Sequence, residues 1–140
     1  MSEAAPTTVA GLLVQSGRVL LGLRAGWKAV FPLHWDAIAG RVEQGEALEA
    51  ALARELSEEI GIAVRNYRLI ETLVRQVPGG RKEHHVFAIT NWVGEPANTS
   101  DENAEIRWFT ASQLKRLPKM TPDLGRLARR ALQPDNSRTE

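Results

Sequence analysis

Three glutamates in one short stretch of the sequence could bind a metal ion. Glu55, Glu58 and Glu59 are spaced i, i+3 and i+4, so on an α-helix they fall within a sector of about 100° on one face. The same stretch contains no lysine, so we expect no cation four residues away that would pair with these carboxylates as in ordinary surface ion pairs. We therefore predict a carboxylate cluster that binds a hard divalent cation, Mg2+ or Mn2+, because such ions prefer oxygen ligands.

The alternative for these glutamates is a solvated acidic helix face. Two features argue against it. The carboxylates border an apolar stripe at Leu48, Leu52 and Leu56, and they lie near the C-terminal end of the helix, where the helix dipole disfavours negative charge. A bound cation would compensate for this conflict. Two such ions could bridge a diphosphate and activate a water molecule, so the cluster predicts hydrolysis of a diphosphate linkage.

The elements that must position this cluster follow from the hydrophobic pattern. The predicted central helix spans residues 46–60, with Gly61 as a left-handed C-terminal residue. Strands are predicted at residues 9–14, 19–23, 35–39, 67–77, 83–92 and 106–109, and residues 26–35 form an ordered loop. A short helix capped by Thr110 and running through Leu117, and a last helix over residues 122–132, complete the chain. This order predicts an α/β fold, with helices on both faces of a mixed central sheet.

Length and composition limit the class of protein. We predict one domain over residues 1–140, ordered from about residue 8 to 132, with a disordered polar tail at residues 133–140. The chain has 18 basic and 17 acidic residues, so its charge does not indicate a nucleic acid or membrane partner. It has no cysteine and no apolar leader, which predicts a cytoplasmic protein, monomeric or homodimeric.

The residues around the glutamates match a longer signature. Gly40 is followed by Glu46, then by Arg54-Glu55-Leu56-Ser57-Glu58-Glu59-Ile60-Gly61-Ile62. This arrangement resembles the signature of the Nudix hydrolases, G-x5-E-x7-R-E-U-x-E-E-x-G-U, at every specified position. The resemblance implies the Nudix α/β/α sandwich and a MutT-like hydrolase that requires Mg2+, with Mn2+ as a substitute.

The resemblance also assigns roles to individual residues. It implies that Glu55, Glu58 and Glu59 bind the metal together with the backbone carbonyl of Ala39, where many members have glycine. Arg54 is expected to orient a carboxylate. Gly40 and Glu46 are expected to support the metal ligands from the loop and the start of the helix. Glu58 or Glu59 is the nearest candidate for the general base.

Residues outside the signature could complete the site. MutT-like members tend to supply an acidic residue from the loop before a strand that carries tryptophan. Glu102, six residues before Trp108, is the first choice for this position, and it is an alternative general base; Glu105 is the second choice. Candidates for substrate binding are Trp27, Phe31 and His85. Aromatic rings can stack on a nucleobase, and only one of the adjacent strand histidines His84 and His85 can face a cleft.

The substrate predicted from the resemblance is a small nucleotide. The favoured reaction converts a nucleoside triphosphate, or its deoxy form, into the monophosphate and pyrophosphate. ADP-ribose, nucleotide sugars and dinucleoside polyphosphates stay open, as does a module that binds a nucleotide without hydrolysing it. Isopentenyl-diphosphate isomerases share the fold, but they rely on a cysteine that this chain lacks.

Overall fold

An antiparallel hairpin begins the part of the chain that the structure describes. The structure is a computed structural model, and residues 6–134 are described. Strand β1 (Thr8–Gln15) pairs with β2 (Arg18–Arg24) through Val14 and Val19. Ser16 and Gly17 between them have φ angles of 54° and 75°, which is the geometry of a type I′ turn. The hairpin predicted from the sequence is confirmed.

Strand β1 joins the remaining strands into one mixed sheet. The others are β3 (Trp35–Asp36), β4 (Ile38–Arg41), β5 (Ala63–Val77), β6 (Gly80–Val93) and β7 (Asn103–Thr110). Five strands follow the order β3-β2-β1-β6-β5, while β4 pairs with β1 and β7 pairs with β2. β1 and β6 run parallel, and the other pairings are antiparallel.

Three helices cover the two faces of this sheet. They are α1 (Leu48–Ile60), α2 (Ala111–Arg116) and α3 (Leu124–Leu132). Leu52, Leu56 and Ile60 of α1 pack in one apolar core with Val9 and Phe87, whereas the buried leucines and alanines of α2 and α3 pack in a second core with other sheet residues. The predicted α/β/α arrangement is therefore confirmed.

Element boundaries differ from the predicted ones where local backbone geometry intervenes. Helix α1 begins at Leu48 because Ala47 is still extended, and α3 begins after Asp123, whose φ angle is 70°. The strand predicted at residues 35–39 is two strands. β3 pairs with β2 and β4 pairs with β1, with Ala37 between them. Most of the predicted tail, residues 135–140, lies outside the described residues.

Two signals at helix ends behave as the sequence indicated. Gly61 ends α1 with a φ angle of 72°, and its amide donates to the Ser57 carbonyl. Thr110 and Gln113 form a reciprocal capping box at the start of α2. Across residues 6–134 we find no helix with the length and apolar character needed to span a bilayer.

The core beneath α1 should carry much of the stability. Leu56 is fully buried, so Leu56→Ala should lower the free energy of unfolding by about 2–5 kcal/mol through lost burial and an unfilled cavity. Leu69 on β5 is 51% exposed and serves as the matched control; Leu69→Ala should cost less than about 1 kcal/mol. Urea unfolding measures both changes. Equal losses would contradict this assignment of the core.

Candidate active site

The three glutamates of α1 line one cleft together with the loop after β6. The cleft has a volume of about 870 Å3, and Glu55, Glu58, Glu59 and Glu102 are among its lining residues. Their burial differs strongly. Glu59 is only 4% exposed, the Glu55 side chain is 14% exposed, and that of Glu58 is 60% exposed. The carboxylates therefore extend from the protein interior to the solvent along one helix face.

Glu59 has an unusual electrostatic environment. Burial, and next the neighbouring carboxyl of Glu55, raise the pKa of Glu59 to about 9, although a hydrogen bond from Asn103 opposes the shift. The Asn103 side-chain amide donates to Glu59 Oε1 over 3.2 Å. Among residues 6–134, no lysine or arginine nitrogen lies within 4.0 Å of the Glu59 carboxylate to compensate a negative charge there. An oxygen-rich site of this kind fits a hard divalent ion.

Arg54 fixes the other carboxylates of the signature. Its guanidinium donates to both carboxylate oxygens of Glu46, each over 2.9 Å, and to Glu55 Oε2 over 2.8 Å. The ion pair with Arg54 lowers the pKa of Glu46 to about 2. Arg54 also lies 3.6 Å from Glu58, so one of the helix carboxylates does have a cation four residues away, contrary to the sequence argument. With Glu43 at 4.0 Å, Arg54 shares its charge among four acids.

Gly40 allows strand β4 to approach the helix. A Cβ atom at this position would overlap the carboxyl group of Glu55. Only glycine leaves room for that carboxylate beside the strand. Ala39, the expected carbonyl ligand, lines the cleft next to it. Within residues 6–134, however, no three acidic or histidine side chains lie close enough together to bind one metal ion as they stand. The carboxylates share a cleft, and Arg54 lies within ion-pair distance of two of them, Glu55 and Glu58.

The loop that carries Glu102 is attached to the end of α1. The Ala97 amide donates to the Ile60 carbonyl and the Thr99 amide to the Glu59 carbonyl, each over 3.0 Å, and the Thr99 hydroxyl donates to the Glu58 carbonyl. These bonds satisfy carbonyl groups that the helix end leaves without partners. Because of them, the loop is positioned directly against the helix that carries the glutamates.

This attachment brings two side chains towards Glu59. Glu102 lines the cleft, as expected, and forms an ion pair with Lys28. Asn103, which follows it, is buried and holds Glu59. Asn103 is a site residue that no sequence pattern predicts. Its position after Glu102 was visible, but nothing in the sequence showed that its amide is buried. Glu105 pairs with Arg107 on the surface.

The candidate substrate-binding residues are divided between the cleft and other surfaces. Phe31 lines the cleft, whereas Trp27 is 61% exposed and is not among the lining residues; its indole donates to the Asp101 carbonyl. His85 also lies elsewhere, close to Thr72 on the α1 side of the sheet. Its neighbour His84 lines the cleft instead, because successive strand residues face opposite sides. The expected position of His85 is therefore corrected.

Comparison with known proteins identifies the family. The profile of the NUDIX domain matches residues 5–131. The chain belongs to the NUDIX family. The resemblance to Nudix hydrolases that the signature indicated is confirmed, and the Nudix fold covers nearly all described residues.

Two named relatives and one solved structure are similar to this chain over most of its length. The nucleoside triphosphatase NudI of Klebsiella pneumoniae is 34% identical over 120 residues, covering 78% of this chain and 84% of the relative. The oxidized purine nucleoside triphosphate hydrolase of Danio rerio is 34% identical over 106 residues, covering 74% of this chain and 65% of the relative. The chain thus spans slightly less than two thirds of the second relative. A MutT Nudix hydrolase structure from Burkholderia pseudomallei superposes with a TM-score of 0.79 at 25% identity, covering 91% of this chain and 98% of that one.

The environment of Glu59 predicts a pH-dependent stability in the presence of EDTA. Because the folded pKa of Glu59 is raised to about 9 from 4.5, the folded state keeps a proton that the unfolded chain releases. The stability contribution of this group is therefore complete below pH 4.5 and falls by up to about 1.4 kcal/mol per pH unit as the pH rises towards 9. Glu59→Gln removes the titration, so the variant should become progressively more stable than the natural protein between pH 5 and pH 8.

Urea unfolding in EDTA at several pH values measures this difference. Glu49→Gln, an exposed change in the first turn of the same helix, provides the control and should follow the natural protein at every pH. A stability difference between Glu59→Gln and the natural protein that did not change with pH would contradict the assigned environment of Glu59.

Proposed function

We propose that this Nudix chain hydrolyses a nucleoside triphosphate, or its deoxy form, to the monophosphate and pyrophosphate with the help of Mg2+. The observation that carries the proposal is the alignment of Glu55, Glu58 and Glu59 along one cleft, with Glu59 buried beside a second carboxyl. A cleft of about 870 Å3 is of the size that binds small ligands. The names of the Klebsiella and Danio relatives support a nucleoside triphosphate as the substrate.

The proposed metal ligands are Glu55, Glu58, Glu59 and the carbonyl oxygen of Ala39. All are oxygen donors, which suits Mg2+ and its usual substitute Mn2+. When bound, the metal would neutralise phosphate charge and activate water. Glu55 would have to exchange part of its contact with Arg54 for the metal, and Arg54 would retain its two bonds to Glu46. In this way Arg54 keeps the loop and the helix in register while the carboxylates bind.

Two residues are candidates for the general base. Glu58 is exposed to the cleft and its ion pair with Arg54 is long, at 3.6 Å, so one oxygen is available to a water molecule. Glu102 faces the same cleft from the loop, but Lys28 already engages it. We propose Glu58 or Glu102 ahead of Glu59, because the Asn103 amide and burial restrict Glu59. The pH profile of kcat for Glu102→Gln separates the two: loss of the acidic limb would assign the base to Glu102.

Glu58→Gln tests the metal-binding carboxylates directly. A neutral amide binds Mg2+ poorly, so kcat for nucleoside triphosphate hydrolysis should fall by about 100-fold or more while the melting temperature without metal changes little. Glu49→Gln changes the same residue type on the same helix outside the cleft, and it should retain the kcat of the natural protein. Similar rates for Glu58→Gln and the natural protein would refute the metal assignment.

The reaction itself is tested with labelled water. In 18O-labelled water with Mg2+, one product should carry the label, because water supplies the new oxygen on phosphorus. Label in the monophosphate would indicate attack at the α-phosphorus, and label in pyrophosphate would indicate attack at the β-phosphorus. Inorganic phosphate and a nucleoside diphosphate as products would contradict the proposed reaction. Mass spectrometry of the products provides the measurement.

A further inference from the structure

Four basic side chains from the strands of the sheet line the cleft. We call them the basic wall, and they are Arg24, Arg41, Arg75 and Lys82. The carboxylate cluster of the family signature does not account for them. Each comes from a different strand: β2, β4, β5 and β6. The basic wall is thus a feature of the sheet surface, and no single charged segment of the sequence would indicate it.

The register of the sheet places Lys82, at one end of the basic wall, at a distance from Glu55. Thr8 on β1 pairs with Arg41 on one side and with His84 on the other, so these three residues share one row across the sheet. Lys82 lies two residues from His84 on the same face, directly opposite Arg75. From β4 to β6 are two strand spacings, about 10 Å. A group that touches Lys82 is therefore separate from one held at Glu55, which contacts β4.

The basic wall is incompletely neutralised. Arg75 donates to Asp123 over 2.7 Å, and Arg24 lies 3.6 Å from Asp36 and bonds to carbonyls of the loop at residues 30 and 31. Among the described residues, no carboxylate lies within 4.0 Å of the charged groups of Lys82 or Arg41. Of the remaining acidic side chains in the cleft, Glu55 and Glu58 lie near Arg54 and Glu102 pairs with Lys28. Glu59 is buried, and Asp101 is exposed on the loop after β6.

Other properties of this surface reinforce the excess of positive charge. Burial, and after it the charge of Arg75, lower the pKa of Lys82; the carboxyl of Asp36 opposes the shift, and the charges of Arg24 and Arg41 add to it. Burial also lowers the pKa of His84 to about 4, so this histidine is neutral at physiological pH and can donate or accept a hydrogen bond. Like charges directly opposite each other on neighbouring strands, as at Arg75 and Lys82, destabilise a sheet. A bound anion would remove this cost.

We propose that the basic wall binds a second phosphate group of the substrate, remote from the diphosphate that is hydrolysed, with Lys82 as its main contact. The inference rests on the proposed function and makes it more specific. The substrate would be a nucleoside diphosphate derivative that carries a further phosphate monoester on its nucleoside end. Arg and Lys together at a partly desolvated surface are suited to a dianionic phosphate. A second phosphate therefore determines specificity here.

Binding of two matched product-like compounds tests this proposal. Adenosine 3′,5′-bisphosphate should bind at least about ten times more tightly than adenosine 5′-monophosphate in titration calorimetry with Mg2+, because only the bisphosphate reaches the basic wall. The same comparison with the guanosine pair should give the same preference. Equal affinity for both members of both pairs would overturn the proposal.

Variants at Lys82 connect the preference to the basic wall. Lys82→Met keeps the apolar stem but removes the charge, and it should reduce the preference to about twofold or less, whereas Lys82→Arg should restore it. Lys115→Met, on the exposed surface of α2 and outside the cleft, is the control and should keep the full preference. An unchanged preference in Lys82→Met would also overturn the proposal.

The experiment separates this inference from the proposed function. Binding is measured without turnover, so a bisphosphate preference that depends on Lys82 would support the basic wall even if no triphosphate were hydrolysed. Hydrolysis of triphosphates without any bisphosphate preference would support the proposed function and refute the second phosphate.

Discussion

The burial of one carboxyl group beside another is the constraint on which this site depends. Glu59 is enclosed at the end of α1, next to Glu55 and beneath the loop of Asn103. Burying a charge without a counter-ion is costly, so the natural form of this arrangement is either protonated or bound to a cation. The remaining parts of the site can be understood as the means of keeping two carboxyl groups close despite this cost.

The contacts that keep these two carboxyl groups close together come from three segments of the chain. The Arg54 guanidinium joins the helix to the preceding loop through Glu46 and orients Glu55. The absence of a side chain at Gly40 lets β4 lie against the same carboxylate. Each contact is modest, but they act on the same group, so the geometry is determined more tightly than any single bond would allow. Rigidity in the supporting residues is what allows charged groups to face a cleft in fixed positions.

The fold and the carboxylate cluster could be predicted because their signals are local. Leu52 and Leu56 follow the helical period, Gly61 permits the left-handed end, and the signature is continuous in the sequence. Asn103 and the basic wall could not be predicted, since they depend on which strands become neighbours. Parallel pairing of β1 with β6 brings Thr8 beside His84, 76 residues later, and periodicity alone carries no such information. Which of His84 and His85 faces the cleft likewise depends on the register of the strands.

The bonds between residues 97–99 and the end of α1 also restrict how the length of the chain can change. Between Thr99, which is fixed to the helix, and Asn103, which must reach Glu59, only three residues intervene. An insertion here would move Glu102 out of the cleft and Asn103 away from Glu59. The turn at Gly79 between β5 and β6 has no such anchor, and added residues there would leave the pairing of Arg75 with Lys82 intact. Insertions and deletions in the evolution of this chain should therefore accumulate at the hairpin tip and be excluded from the short segment beside the helix.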